Sequence, residues 1–210
     1  MFAGHRVLVI DPASTSGYCI LQHYQDSTKK WDFQKNSFGG VCEIGKPEYF
    51  SIKAGKEGDH TGHSCNQIYD FFKKIILKEE ITMVAMEDYV FSRFAKQGAK
   101  LNVAIRAALQ MLCSSLQIPY LIIPISLWKR SVSGRGSASK EDKLKWKTKA
   151  NKMFIVESLT KDYGLKFPEK VANQKGKMVK FKYDLSDVLG QAICVTKVFF
   201  NSKVEFIFQW

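Results

Sequence analysis

The sequence has no long hydrophobic run, no paired cysteine pattern and fewer acids than bases, and each shortage narrows what the chain can be. No apolar stretch approaches the roughly 20 residues of a membrane span, and the N-terminus lacks the long apolar segment of a secretory signal. A soluble, intracellular protein with no membrane partner is therefore expected. The five cysteines, Cys19, Cys42, Cys65, Cys113 and Cys194, are odd in number, far apart and mostly set in apolar runs, so they read as reduced core residues rather than a disulfide framework. His60, His63 and Cys65 lie close together but match no usual zinc spacing.

What the chain does have is bulk and an uneven charge. With 210 residues, 45% hydrophobic and 13% aromatic, it fits a single globular domain over residues 1–210 with a sizeable core. The formal net charge is +12, and it is localised. Residues 129–182 carry 16 Lys/Arg against 5 Asp/Glu, a net +11, whereas residues 1–128 carry 14 against 12. A basic excess gathered in one quarter of the chain points to a polyanionic partner, either nucleic acid or an anionic membrane surface.

The organising stretch is Arg6 to Leu21. An apolar run, Val7 to Ile10, ends on Asp11, turns through Pro12 to Gly17 and resumes as a second apolar run, Tyr18 to Leu21. It reads as a hairpin. A run apolar at every position predicts a central strand covered on both faces. Asp11 at the end of such a strand either caps the turn or meets a compensating cation or donors, because an uncompensated buried carboxylate is costly.

Further along, Gln22 to His63 reads as a third strand plus long loops, with apolar patches at Phe38 to Ile44 and Tyr49 to Ile52. Ser64 or Asn66 can cap a helix whose Ile68, Phe71, Phe72, Ile75 and Ile76 share one face. Ile81 to Met86 is a short strand that ends at Glu87-Asp88. Two strands thus end on acid, and in a parallel sheet such ends meet at one edge. A helix over Phe94 to Leu116 carries an apolar stripe, with Val103, Ala107 and Met111 off it as a second buried face or a dimer contact. Tyr120 to Ile123 is a strand stopped by Pro124.

The next segment, Trp128 to Lys140, reads as a loop suited to phosphates: Gly134 and Gly136 allow close backbone approach, and Lys129, Arg130, Arg135 and Lys140 supply charge. A long Lys-rich helix, Glu141 to Tyr163, carries Lys143 and Lys147, and a basic loop, Phe167 to Lys182, follows. The last strong helix starts at Asp184, and Asp187 at i+3 puts both carboxylates on one face of its first turn. An acidic first turn also complements the helix dipole, which is the plainer account. Four carboxylates beside a basic segment suit hard divalent cations near a phosphodiester, where two ions about 3.5 to 4 Å apart clamp the attacking and leaving oxygens.

Taken in order, Val-Ile-Asp11-Pro-Ala-Ser, Met-Glu87-Asp-Tyr-Val-Phe91, the loop from Lys129 through Gly134-x-Gly136-x-Ala138-x-Lys140, and Asp184-x-x-Asp187-x-x-x-x-Ala192-Ile-Cys resemble the RuvC-type Holliday junction resolvases of the RNase H-like superfamily. The resemblance spans residues 6 to about 198. It implies an α/β fold with a mixed five-stranded sheet flanked by helices, a homodimer, and Mg²⁺-dependent nicking of four-way DNA junctions, with Mn²⁺ substituting and two ions per site. By the same resemblance Asp11, Glu87, Asp184 and Asp187 are the metal-binding acids. Lys129 and Lys140 face DNA, Lys140 also serving catalysis, with Arg130, Arg135, Lys143 and Lys147 as further DNA contacts. An aromatic expected to stack at the junction centre is met by Phe91, one residue further from Glu87 than usual, or by Tyr89. Ala13 replaces a common glycine, and the longer segments before Glu87 and before Asp184 point to a divergent viral or phage branch.

Three other readings compete. A broader flap- or fork-debranching nuclease keeps the site and changes the substrate, and an inactive module would hold junctions without cutting them. An actin-like ATPase shares the sheet and an Asp before a turn, but it needs a second phosphate loop and a second domain.

Overall fold

The computed structural model describes residues 6–13, 15–23, 31–33, 41–43, 61–88, 98–165, 167, 170–172, 178–180 and 184–199. Strand β1 (Arg6–Asp11) lies at the centre of a mixed sheet, antiparallel to β2 (Thr15–His23) and parallel to β5 (Met83–Glu87). Strand β6 (Tyr120–Ile123) extends the parallel side. Among the described residues the sheet has six strands, where five were expected. The nine residues of β2 offer an edge long enough for two short partners, β3 (Trp31–Phe33) against Leu21–His23 and β4 (Val41–Glu43) against Thr15–Gly17. Only β4 falls in an apolar patch anticipated as a strand, and the Tyr49 to Ile52 patch lies outside the described residues.

The two-residue alternation of a strand explains why β1 is apolar throughout. Val7 and Val9 join one core cluster and Leu8 and Ile10 the other, all fully buried. Met83 and Ala85 of β5 divide from Val84 and Met86 in the same way. Against the Leu8 face pack α1 (Thr61–Lys78), through Ile68, Phe72 and Ile76, and α2 (Gly98–Ser115), through Ile105, Leu109 and Leu112. Met111 is 69% exposed and Ala107 is exposed, so the second face of α2 is not covered by the described part of the chain.

The opposite face is covered by α3 (Ile125–Ser133), α5 (Ala150–Tyr163) and α6 (Asp184–Cys194), whose last residues continue as a π-helical turn over Val195–Phe199. Helix α3 corrects the expectation of a loop from Trp128 to Lys140. Trp128 and Val132, one turn apart, are both buried, and Pro124 is its N-cap rather than a mere strand stop. Gly134, with φ 74°, ends the helix by donating its N–H to Arg130 O at 2.8 Å. Only 134–139 is irregular.

The expected long helix from Glu141 to Tyr163 is two helices. The first, α4 (Lys140–Trp146), stops at Lys147, whose φ is 50°, and a 3₁₀ turn over Lys147–Lys149 leads into α5. The break falls where lysines alternate and no residue is buried, and burial resumes with Ala150, Phe154, Ile155 and Leu159. The basic segment after α5 contains two short antiparallel strands, β7 (Lys170–Ala172) and β8 (Met178–Lys180), where only a loop was expected. Among the described residues no helix is long and apolar enough to cross a membrane.

Candidate metal and nucleic-acid site

Ile10 pairs with Met86 in the parallel register of β1 and β5, so the next residues, Asp11 and Glu87, emerge side by side at one sheet edge. Both follow the alternation of Val9 and Ala85 and therefore turn toward the face covered by α3, α5 and α6. The hairpin is held close behind Asp11 by Ser16, whose hydroxyl donates to Ala13 O at 2.8 Å and accepts from Ala13 N at 3.1 Å. Ala13 sits in this turn with both its N–H and its carbonyl bonded to the Ser16 hydroxyl.

Asp11, Glu87 and Asp187 line one open cleft of about 310 Å³ together with Asp88, Arg106, Trp128, Lys129 and Lys152. Asp187 comes from the first turn of α6 and is 5% exposed; Asp11 is 8% exposed. Asp184, described in its backbone only, opens the same helix three residues earlier. The fold thus brings three of the four predicted acids to one cleft.

Glu87, Asp88 and Asp187 have separate partners. Glu87 is held through both oxygens: Trp128 Nε1 donates to Oε1 at 3.1 Å and Gln191 Nε2 to Oε2 at 3.4 Å. Arg106 of α2 pairs with Asp88 at 2.5 Å. Lys152 of α5 donates to Asp187 Oδ2, while Asp187 Oδ1 is buried with no hydrogen-bond partner among the described residues. Lys129 lies half-buried beside them, 5.4 Å from the centre of the Trp128 ring. Burial pushes its ammonium pKa down, Glu87 and Asp11 pull it back up, and Lys152 repels it.

Among the described residues no three His, Cys, Asp or Glu side chains stand close enough together to hold one metal ion. The donor set nevertheless suits a hard divalent cation: it is all carboxylate oxygen, and Asp187 Oδ1 is a buried acceptor left unmatched. The residues fit such an ion in kind, and the Lys152 ammonium pairs with Asp187 among them.

The basic residues predicted alongside these acids divide. Lys129 lines the cleft, whereas Lys140 is exposed at the start of α4 and does not. Arg130, Lys143 and Lys147 are exposed and have no ion partner among the described residues. Arg135 pairs with Asp142 at 2.7 Å and lies over the Phe154 ring at 5.3 Å. Tyr89 and Phe91 lie outside the described residues.

Sequence reasoning missed Lys152, Trp128, Gln191 and Arg106. Trp128 carried a signal, since a tryptophan in an apolar face needs a partner for its N–H. Lys152 carried none, being one of many lysines in its segment.

No protein-family model and no curated protein sequence matches the chain. Solved structures do. Thermus thermophilus RuvC superposes with a TM-score of 0.56 at 16% identity, over 90% of this chain and 92% of that one. The same protein in complex with a Holliday junction substrate gives a TM-score of 0.56 at 17% identity, over 90% and 92%. The yeast mitochondrial Holliday junction resolvase Ydc2 gives 0.50 at 18% identity, over 92% of this chain and 78% of that one. With its acids on adjacent parallel strand ends and on the helix packed over them, this chain has the RNase H-like fold of the RuvC-type Holliday junction resolvases.

Proposed function

We propose that this chain is a divalent-metal-dependent endonuclease that resolves four-way DNA junctions as a homodimer, by paired symmetric nicks. The observation that carries the reading is the convergence of Asp11, Glu87 and Asp187 on one cleft with Lys129 and Lys152, in a fold shared with junction resolvases. Asp11, Glu87, Asp184 and Asp187 would hold two such cations. When bound, Mg²⁺, or Mn²⁺ in its place, supplies the Lewis acidity that activates the attacking water and steadies the departing 3′ oxygen.

The chain's own residues then have distinct tasks. Trp128 and Gln191 fix the Glu87 carboxylate, so that it does not have to be oriented as the substrate arrives. Lys129, which lines the cleft, offers positive charge to a phosphate bound there. Arg130, Lys140, Lys143 and Lys147, all exposed, would provide a basic path for the DNA arms. Tyr89 or Phe91 would stack at the junction centre. The exposed Ala107 and Met111 on α2 suit the contact with the second copy that paired nicking requires.

The test is cleavage of a labelled mobile four-way junction in Mg²⁺ or EDTA, beside linear duplex, Y-fork and flap substrates of equal length. Symmetric ligatable nicks confined to the junction in Mg²⁺ are expected. Cleavage of forks and flaps without paired symmetry would establish a debranching nuclease instead, and binding without any metal-dependent cleavage would leave a junction-holding module.

A further inference from the structure

Asp187 presents an electrostatic problem that the metal-dependent reading does not address. It is 5% exposed, and a buried carboxylate is stable only when a cation or a full set of donors compensates it. Glu87 has two neutral donors, and Asp88 has the guanidinium of Arg106. Asp187 has Lys152 on Oδ2 and no partner on Oδ1 among the described residues. One ammonium therefore matches half of the acceptor capacity of this carboxylate.

Lys152 is well placed to be temporary. It comes from α5, a different element from Asp187, and its side chain is 43% exposed, against 7% for Asp187. Returning a half-exposed ammonium on a flexible stem to water costs little, whereas leaving Asp187 without any cation costs much. We infer that Lys152 is the internal counter-cation of the cleft: it neutralises Asp187 while no divalent cation is bound and gives up that carboxylate when one is, so the two states exclude each other. This rests on the metal-dependent reading of the cleft. Its consequence is a built-in threshold, because a divalent cation must displace an ammonium before it can use Asp187. The released ammonium remains at the wall of the cleft, which Lys129 also lines.

The experiment is calorimetric titration of the full chain with Mn²⁺, together with melting in EDTA, for the wild type, Lys152→Met and Lys152→Arg. Removing an ion pair with one buried partner should tighten Mn²⁺ binding about tenfold in Lys152→Met. The same variant should melt below the wild type in EDTA and gain more from Mn²⁺. Lys152→Arg keeps the charge and should bind Mn²⁺ within about twofold of the wild type. Because Lys152→Met can fail to fold, the wild type is also followed by lysine-selective NMR. The Lys152 side-chain resonance, assigned by its loss in Lys152→Arg, should move on Mg²⁺ addition while that of Lys140 stays. Equal Mn²⁺ affinity in the wild type and Lys152→Met, or a Lys152 resonance indifferent to Mg²⁺, overturns the inference alone. Absence of divalent-cation binding in every form overturns the metal reading and this inference with it.

Discussion

The indole of Trp128 donates to Glu87 Oε1 at 3.1 Å while its ring lies so close over Gly190 that a Cβ there would fall 2.7 Å from it. One side chain thus ties the end of β5 to the helix that carries Asp187. Gly190→Ala should force the ring away and cost about 1–3 kcal/mol by overpacking. Urea denaturation reads the loss, and a wild-type midpoint would show that the ring has room to move.

Trp128→Phe separates the hydrogen bond from the packing. It keeps most of the buried ring and removes the N–H, leaving Glu87 with Gln191 as its remaining donor from those two. A hydrogen bond to a charged group contributes about 1.5–3 kcal/mol, so junction-cleavage kcat should fall at least about tenfold. Junction affinity in EDTA should stay within about twofold of the wild type, because the indole meets a site acid and not DNA. Wild-type kcat in this variant would remove Trp128 from the positioning of Glu87.

The hairpin at Asp11 and the strand ending on Glu87 were legible because strand alternation and apolar runs are local signals, and the parallel register then brought the two acids together without further information. The helical nature of Ile125–Ser133 was hidden by its glycines, which belong to the cap and turn that follow and not to the helix itself. The break at Lys147 was invisible for a different reason. Charge and helix propensity are alike on both sides of it, and what separates α4 from α5 is which residues find a core to enter. Lys152 at Asp187 is a meeting of residues 35 positions apart on two helices, and sequence spacing carries no trace of it.

Replacing an acid of the cleft by its amide tests the ligand assignment directly. Asp11→Asn and Asp187→Asn preserve shape while removing the charge that would hold a divalent cation, so both should abolish nicking. Junction binding, measured by mobility shift in EDTA, should persist in both. Full cleavage by either variant would contradict the assignment of that residue.

Acid should unfasten α4 before the core. Ser139 and Asp142 form a reciprocal capping box, Asp142 N to Ser139 Oγ at 3.2 Å and Ser139 N to Asp142 Oδ2 at 2.7 Å, and Arg135 pairs with the same carboxylate. Burial pushes the Asp142 pKa up, but the hydrogen bonds from Ser139 and Arg135 outweigh it and leave the carboxyl below its usual value. A depressed folded pKa stabilises the protein above the unfolded value, about 3.9, and that contribution is lost as pH falls through the lower folded value. Asp142→Asn should therefore be destabilised at pH 7 and converge with the wild type in strong acid. Parallel stability curves from pH 6 to pH 2 would mean that the carboxylate charge contributes nothing.

The basic surface outside the cleft is tested by salt. Lys143 and Lys147 are exposed, with no ion partner among the described residues, so a phosphate would not have to displace an internal acid to reach them. If the segment neutralises about six phosphates, junction affinity should fall roughly as the fifth power of salt concentration. Lys143→Ala and Lys147→Ala should each lower that slope by about one, with equal effect on all sequences. Arg135→Ala should act differently, because the guanidinium already serves Asp142 and Phe154: its main cost should appear in folding stability. A slope near zero would mark the lysines as a solvated face, and unchanged slopes in Lys143→Ala and Lys147→Ala would place the DNA arms on another surface.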